Sequence, residues 1–260
     1  MYVDSHCHLT FDGLADRIGE VREAMAQASV DRALVICTTL EEFDRVHGLA
    51  SAYDNFWCSV GVHPDNEGVR EPSVDDLVAL SSRPRVVAIG ETGLDYYRLN
   101  GRSVDDMAWQ RERFRTHIRA ALATGKPLVV HTRSASADTL AILREEGRGE
   151  ATGVFHCFTE TAEVARAALD LGFYISFSGI LTFRNTEDLR QVARFVPVDR
   201  LLIETDSPYL APVPYRGKPN QPAYVPFVAQ QLAQLRQADV AAIAQATSAN
   251  FERLFRPDRT

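Results

Sequence analysis

Apolar residues along this chain alternate between two rhythms. Short, nearly continuous apolar runs lie at 2–9, 33–37, 57–62, 86–90, 128–131, 154–158, 174–178 and 201–205. Between them, stretches such as 14–28, 41–52, 103–123, 135–144 and 162–171 space Ala, Leu, Arg and Glu at helical intervals. Strands interleaved with helices predict parallel βαβ units. Eight such units close most simply into a (β/α)8 TIM barrel of the α/β class, a single domain over 1–260. A doubly wound sheet is the competitor. It would be expected to place a glycine-rich phosphate turn after the first strand, and the residues following Leu9 contain only Gly13. The barrel is therefore preferred.

The chain shows no repeat or low-complexity tract. The segment 206–226 holds six of the twelve prolines, and too few residues follow it for a second domain. It reads as a rigid loop over the barrel mouth, followed by terminal helices ending near Phe255.

Composition adds bounds. With 45% hydrophobic and 24% charged residues, the chain can bury one large core. No apolar run approaches the roughly 18 residues of a membrane span, so a cytoplasmic protein without a membrane partner is expected. A cleavable leader would remove the first histidines and is not expected. Cys7, Cys37, Cys58 and Cys157 all fall in strand-like runs without a C-x-x-C pair, which reads as buried, reduced thiols. A formal charge of −7 argues against a surface that coats long nucleic acid, but leaves room for a small basic mouth.

The ends of the strand-like runs carry the chemistry. His6 and His8 share one face of a strand while Cys7 points to the other. His63, Glu91, His131, His156 and Asp206 each sit at or just past the end of a later run, the C-terminal face where barrel enzymes gather their reactive groups. Imidazole and carboxylate without thiolate suit divalent ions such as Zn, Mn, Ni, Fe or Mg. His6, His8, Glu91, His131, His156 and Asp206 are too many for one tetrahedral ion that keeps a water. They suit two ions sharing a carboxylate, with Glu91 as the bridge and Asp206 as acceptor of the water's proton. Neither Lys126 nor Lys218 is placed to bridge metals as a modified lysine. Arg133 lies two residues past His131 and could grip phosphate; Arg216 and Lys218 in the proline-rich loop could meet the same anion. Tyr96 and Tyr97 stand near Arg98 and Arg102, a pattern suited to stacking a base. Glu204 and Asp4 read as carboxylates that orient a ligand or are satisfied within the core. His47 and His117 read as surface or helix-packing residues.

DSHCHL (4–9), GVHP (61–64), GETGLDYY (90–97), HTR (131–133), FHCF (155–158), SGILTFRN (178–185), ETDSPYL (204–210) and RGKPNQP (216–222) resemble, in order, the signature blocks of TatD-type metal-dependent hydrolases. NFERLF at 250–255 resembles the family's tail. The resemblance implies a barrel hydrolase of the amidohydrolase-like superfamily with deoxyribonuclease activity, often 3′ to 5′ on single strands. Carried over, His6, His8, Glu91 and Asp206 would hold one metal and Glu91, His131 and His156 the other. His63 would face the substrate phosphate or a labile third ion. The expectation is a metal-dependent deoxyribonuclease using two divalent ions (Zn, Mn or Mg), with DNA ends or single strands as substrate, acting as a monomer. The alternative is an ester or amide hydrolase such as a D-aminoacyl-tRNA deacylase.

Overall fold

A computed structural model describes residues 1–257; the last three residues of the domain expected over 1–260 lie outside the described residues. Eight parallel strands follow one another around a single sheet in chain order. They are β1 (Tyr2–Cys7), β2 (Val30–Val35), β3 (Phe56–Val60), β4 (Val86–Asp95), β5 (Leu128–Arg133), β6 (Gly153–Phe155), β7 (Tyr174–Phe177) and β8 (Leu201–Ile203). An isolated parallel bridge between Cys7 and Ser207 joins the two ends of the sheet. This is the TIM barrel, and sequential strand order excludes the doubly wound alternative.

Helices α1 (Ile18–Gln27), α2 (Phe43–Ala52), α3 (Val74–Ser81), α4 (Ala108–Thr124), α5 (Ser136–Gly147), α6 (Ala162–Asp170) and α7 (Glu187–Phe195) connect consecutive strands. They are followed by α8 (Val225–Arg236) and α9 (Val240–Phe255). Two helices join those expected: α3 begins at a capping box formed by Ser73 and Asp76, and α7 buries Leu189, Val192 and Ala193 along one stripe. No helix among the described residues is long and apolar enough to cross a membrane.

The strands are buried on both faces, which is why they read as continuous apolar runs. One buried cluster takes Val3, Leu34, Trp57, Val87, Val129, Val154, Tyr174 and Leu202, a contribution from every strand, together with Phe251, Leu254 and Phe255 of α9. A cluster touched by all eight strands is the barrel interior, and α9 seals its lower end. Neighbours of opposite parity, such as Val35, Cys58, Val130, Phe155 and Ile203, join the larger core with the helices. The period of two then carries His131, His156 and Glu204, each two residues beyond an interior residue, to the upper mouth.

Candidate metal centre

β4 continues five residues past its expected end, to Asp95, and its pairing with β5 shifts register between Ile89 and Thr92. Glu91 sits in that irregularity between Gly90 (φ +143°) and Gly93 (φ +132°). A side chain at Gly93 would collide with the His131 carbonyl, and one at Gly61 would collide with the Gly90 backbone. Close backbone approach thus seats Glu91 among its neighbours. Its carboxylate is 3% exposed and divides between two groups of imidazoles. Oε2 lies 3.3 Å from His6 Nε2 and 3.9 Å from His8 Nε2. Oε1 lies 2.8 Å from His156 Nε2 and 3.3 Å from both His131 Nδ1 and His63 Nε2.

The bottom and top of the sequence meet here. The Asp206 amide donates to the His6 carbonyl at 2.9 Å and the His8 amide to the Ser207 carbonyl at 2.8 Å. Asp206, in the left-handed region at φ +55°, brings Oδ1 to 3.5 Å from His6 Nε2 and 3.3 Å from His8 Nε2. The structure therefore gathers all six expected ligands around one point. It places His63 in the same cluster, on the Oε1 side of Glu91.

Donor chemistry at this point fits cations. Three sets of potential ligand atoms lie within 4.8 Å of one another: His6, His156 and Asp206; His6, His8 and Glu91; and His63, Glu91 and His131. His6 Nε2 faces His8 Nε2 at 3.2 Å, and His156 Nε2 faces His131 Nδ1 at 3.4 Å. Once deprotonated, ring nitrogens brought together in this way are donors suited to a divalent ion.

Carboxylates behind the imidazoles orient them. Asp95 Oδ2 lies 3.0 Å from His131 Nε2, and Glu204 Oε1 lies 3.2 Å from His156 Nδ1 while accepting from the Cys157 amide at 2.8 Å. Burial lowers the His156 pKa, but Glu91 and Glu204 outweigh it and hold it well above the ordinary value. Burial likewise opposes the Asp95 and Glu91 carboxylates that raise His131, and opposes the Asp206 carboxylate that raises His8. Burial would raise Glu91, yet His156, His63 and His6 pull it well below the carboxylate range. Asp206 is lowered against burial chiefly by His8 and His6. Burial and the His156 charge depress His6, and burial depresses His63.

Glu204 has the orienting position anticipated for it. Asp4 is instead satisfied within the core: it accepts from the Thr205 amide and hydroxyl and from the His6 amide, and burial pushes it up to about 8. Asp95, four residues after Glu91 on the same strand, was missed; the signal was the D of GETGLD, read as part of a block rather than as a partner for His131. Two α4 residues also support the site. Arg113 is 3% exposed and donates to the carbonyls of His63 and Asn66, both at 2.8 Å, and to Glu71. His117 is fully buried, its Nε2 accepting from the Val62 amide at 3.0 Å. Together they clamp the loop that carries His63. His47 is a helix residue bonded to the Pro84 carbonyl.

Substrate-side expectations divide. Tyr96 is corrected: it is 7% exposed, and its hydroxyl donates to Asp138 at 2.7 Å and accepts from Arg111 at 3.1 Å, so its ring packs the loop and has no face free for a base. The open ring is Tyr97, 59% exposed, with the Arg133 guanidinium 3.6 Å above it. β5 does run on to Arg133. Arg102 is committed to Glu67, whereas Arg216 stacks on Phe183 at 3.7 Å. Lys126 donates to the Val86 carbonyl at the far end of the barrel. All four cysteines are free; three are buried and Cys157 is half-buried.

Known proteins share this arrangement of chain and fold. The family model described as TatD related DNase matches residues 3–256. The chain is 51% identical over 260 residues to the uncharacterized metal-dependent hydrolase YcfH of Escherichia coli (strain K12), covering 98% of this chain and 96% of that one. It is 36% identical over 261 residues to the 3′-5′ ssDNA/RNA exonuclease TatD of Edwardsiella piscicida, covering 98% and 99%. Among solved structures, the TatD homolog YJJV of Escherichia coli K12 superposes with a TM-score of 0.90 at 29% identity, covering 98% of each chain.

Proposed function

This chain belongs to the TatD-related DNase family, and from that membership we propose that it is a metal-dependent phosphodiesterase that removes nucleotides from single-stranded DNA ends, 3′ to 5′. One observation carries the reading: the two oxygens of Glu91 face different imidazoles, Oε2 those of His6 and His8 and Oε1 those of His156, His131 and His63, as a carboxylate shared by two cations would. His6, His8, Glu91 and Asp206 would hold one ion, and Glu91, His131 and His156 the other. When bound, two divalent ions of the zinc, manganese or magnesium kind would supply Lewis acidity toward a phosphodiester and would bring a water's pKa toward neutrality.

The chain's own residues do the rest. Asp206, held ionised by His8 and His6, accepts the proton of the attacking water. His63, at the edge of the cluster and 19% exposed in its side chain, meets the substrate phosphate or a labile third ion. Arg133 and Arg216, without a carboxylate partner among the described residues, meet phosphates on either side of the mouth. The exonuclease polarity is supported by the activity in the name of the Edwardsiella relative. A monomer suffices, because every proposed ligand comes from one chain.

The test uses metal-stripped protein reconstituted with Mg, Mn or Zn and given 3′- and 5′-labelled single-stranded DNA. Stepwise loss from the 3′ end is expected, with Asp206→Asn reduced about a hundredfold or more in kcat and Glu91→Ala inactive. Metal bound with DNA untouched would instead direct the work to carboxylic ester and aminoacyl-tRNA substrates.

A further inference from the structure

Beside the metal centre, an open groove of about 1040 Å³ runs between the loops that follow β1, β7 and β8, lined by Asp12, Arg17, Phe183, Tyr209, Arg216 and Lys218 among others. Its lining is joined to the cluster through Tyr209. His8 stacks on Phe11 with ring centroids 4.6 Å apart, Phe11 meets Tyr209 edge to face at 6.4 Å, and the Tyr209 amide donates to the Asp206 carbonyl at 3.0 Å.

The groove has the composition of a surface for a single polynucleotide strand. Tyr209 leaves 56% of its area open. Arg216 rests on Phe183 with no carboxylate partner among the described residues, and Lys218 likewise has none. Arg17 is discounted because it pairs with Glu20, and Asp12 is the one carboxylate in the lining. An open ring with unpaired cations beside it serves a strand whose bases stack and whose phosphates alternate with them.

The platform is also rigid. Asn220, fully buried, donates from Nδ2 to the carbonyls of Thr205 at 2.9 Å and Tyr209 at 2.6 Å, and its amide donates to the Pro208 carbonyl at 3.0 Å. The Val213 amide donates to Thr182 Oγ1 at 2.9 Å, tying this loop to the one after β7. A ring presented from a fixed loop loses little freedom when a base covers it. The groove's volume, about 1040 Å³, is just above the roughly 300–1,000 Å³ of a small-molecule pocket.

We propose that this groove binds the nucleotides adjoining the bond cut at the metal centre, with a base stacked on Tyr209 and backbone phosphates on Arg216 and Lys218. The proposal rests on the phosphodiesterase reading and adds the subsite that makes the enzyme sense chain length.

The experiment measures kcat/KM of the metal-loaded full chain on oligo-dT from two to eight nucleotides. The wild type is expected to gain with length. Tyr209→Ala should lose about five- to hundredfold on the octamer and much less on the dimer, while Tyr209→Phe, which keeps the ring, follows the wild type. Arg216→Ala and Lys218→Ala should flatten the length dependence. An abasic residue placed to face Tyr209 should reproduce the loss and add nothing to Tyr209→Ala. Wild-type rates independent of length, or equal losses on dimer and octamer, overturn the groove and leave the nuclease reading standing. If no oligonucleotide is cut at all, the phosphodiesterase reading fails. Where cleavage does occur, fluorescence anisotropy of labelled oligo-dT on metal-free protein tests the groove separately: weaker binding by Tyr209→Ala supports it, and equal binding overturns it.

Discussion

A histidine that is to hold a cation must offer a lone pair, and the partner of its other nitrogen decides which one it offers. His131 turns Nδ1 to Glu91 and Nε2 to Asp95; His156 turns Nε2 to Glu91 and Nδ1 to Glu204. Asp95→Asn and Glu204→Gln should each weaken metal binding about tenfold to a hundredfold, read by competition with a chromophoric chelator, while circular dichroism confirms an unchanged fold. Protons compete at the same nitrogens. The raised His8, His131 and His156 stay protonated to higher pH in the metal-free protein, so binding must expel protons and affinity should fall as pH falls. Calorimetry in buffers of differing ionisation enthalpy measures that release. The residues of the cluster were legible because most stand at or just past the end of an apolar run, although Glu91 lies within β4 and Asp206 three residues beyond β8. Tyr96 and Tyr97 were not separable, because nothing in GLDYY announces that β4 extends to Asp95 or that Asp138 and Arg111 capture the first ring.

Among the elements, β4 and α4 do most to hold the centre in place. Gly93→Ala would force a side chain into the His131 carbonyl at a φ of +132°. It should cost about 1–3 kcal/mol from backbone strain alone, measured by denaturant titration, with metal binding impaired in the fraction that folds. On α4, His117 is fully buried and its pKa falls to about 4 through burial. In the unfolded chain it titrates near 6.5. Between those values the unfolded state binds the extra proton, so stability is intact above about 6.5 and is lost as pH falls toward 4, by roughly 3 kcal/mol. His117→Phe should remove that pH dependence from the unfolding curves while costing about 1–3 kcal/mol by orphaning the Val62 amide. The barrel itself was legible from eight apolar runs with helices between them. The roles of Arg113 and His117 were not, because a helical pattern shows which face is buried but not which loop it grips.

At the scale of the whole molecule, the centre joins elements from nearly the full length of the chain, and bound metal should stabilise all of them at once. Metal at a hundred times its dissociation constant adds about 2.7 kcal/mol, so chelator-treated protein should unfold roughly 5–10 °C lower than loaded protein. Calorimetry with and without metal checks this, and equal midpoints would mean that the cluster does not hold the ion in the native state. The closure between Cys7 and Ser207 carries a consequence for synthesis. His6 and His8 leave the ribosome before the rest of the cluster, yet they have no Asp206 opposite them until all eight strands have been made, and domains assemble as units during translation. A growing chain therefore lacks the completed cluster until β8 and the turn after it have been made, and a product broken off before residue 206 never acquires one.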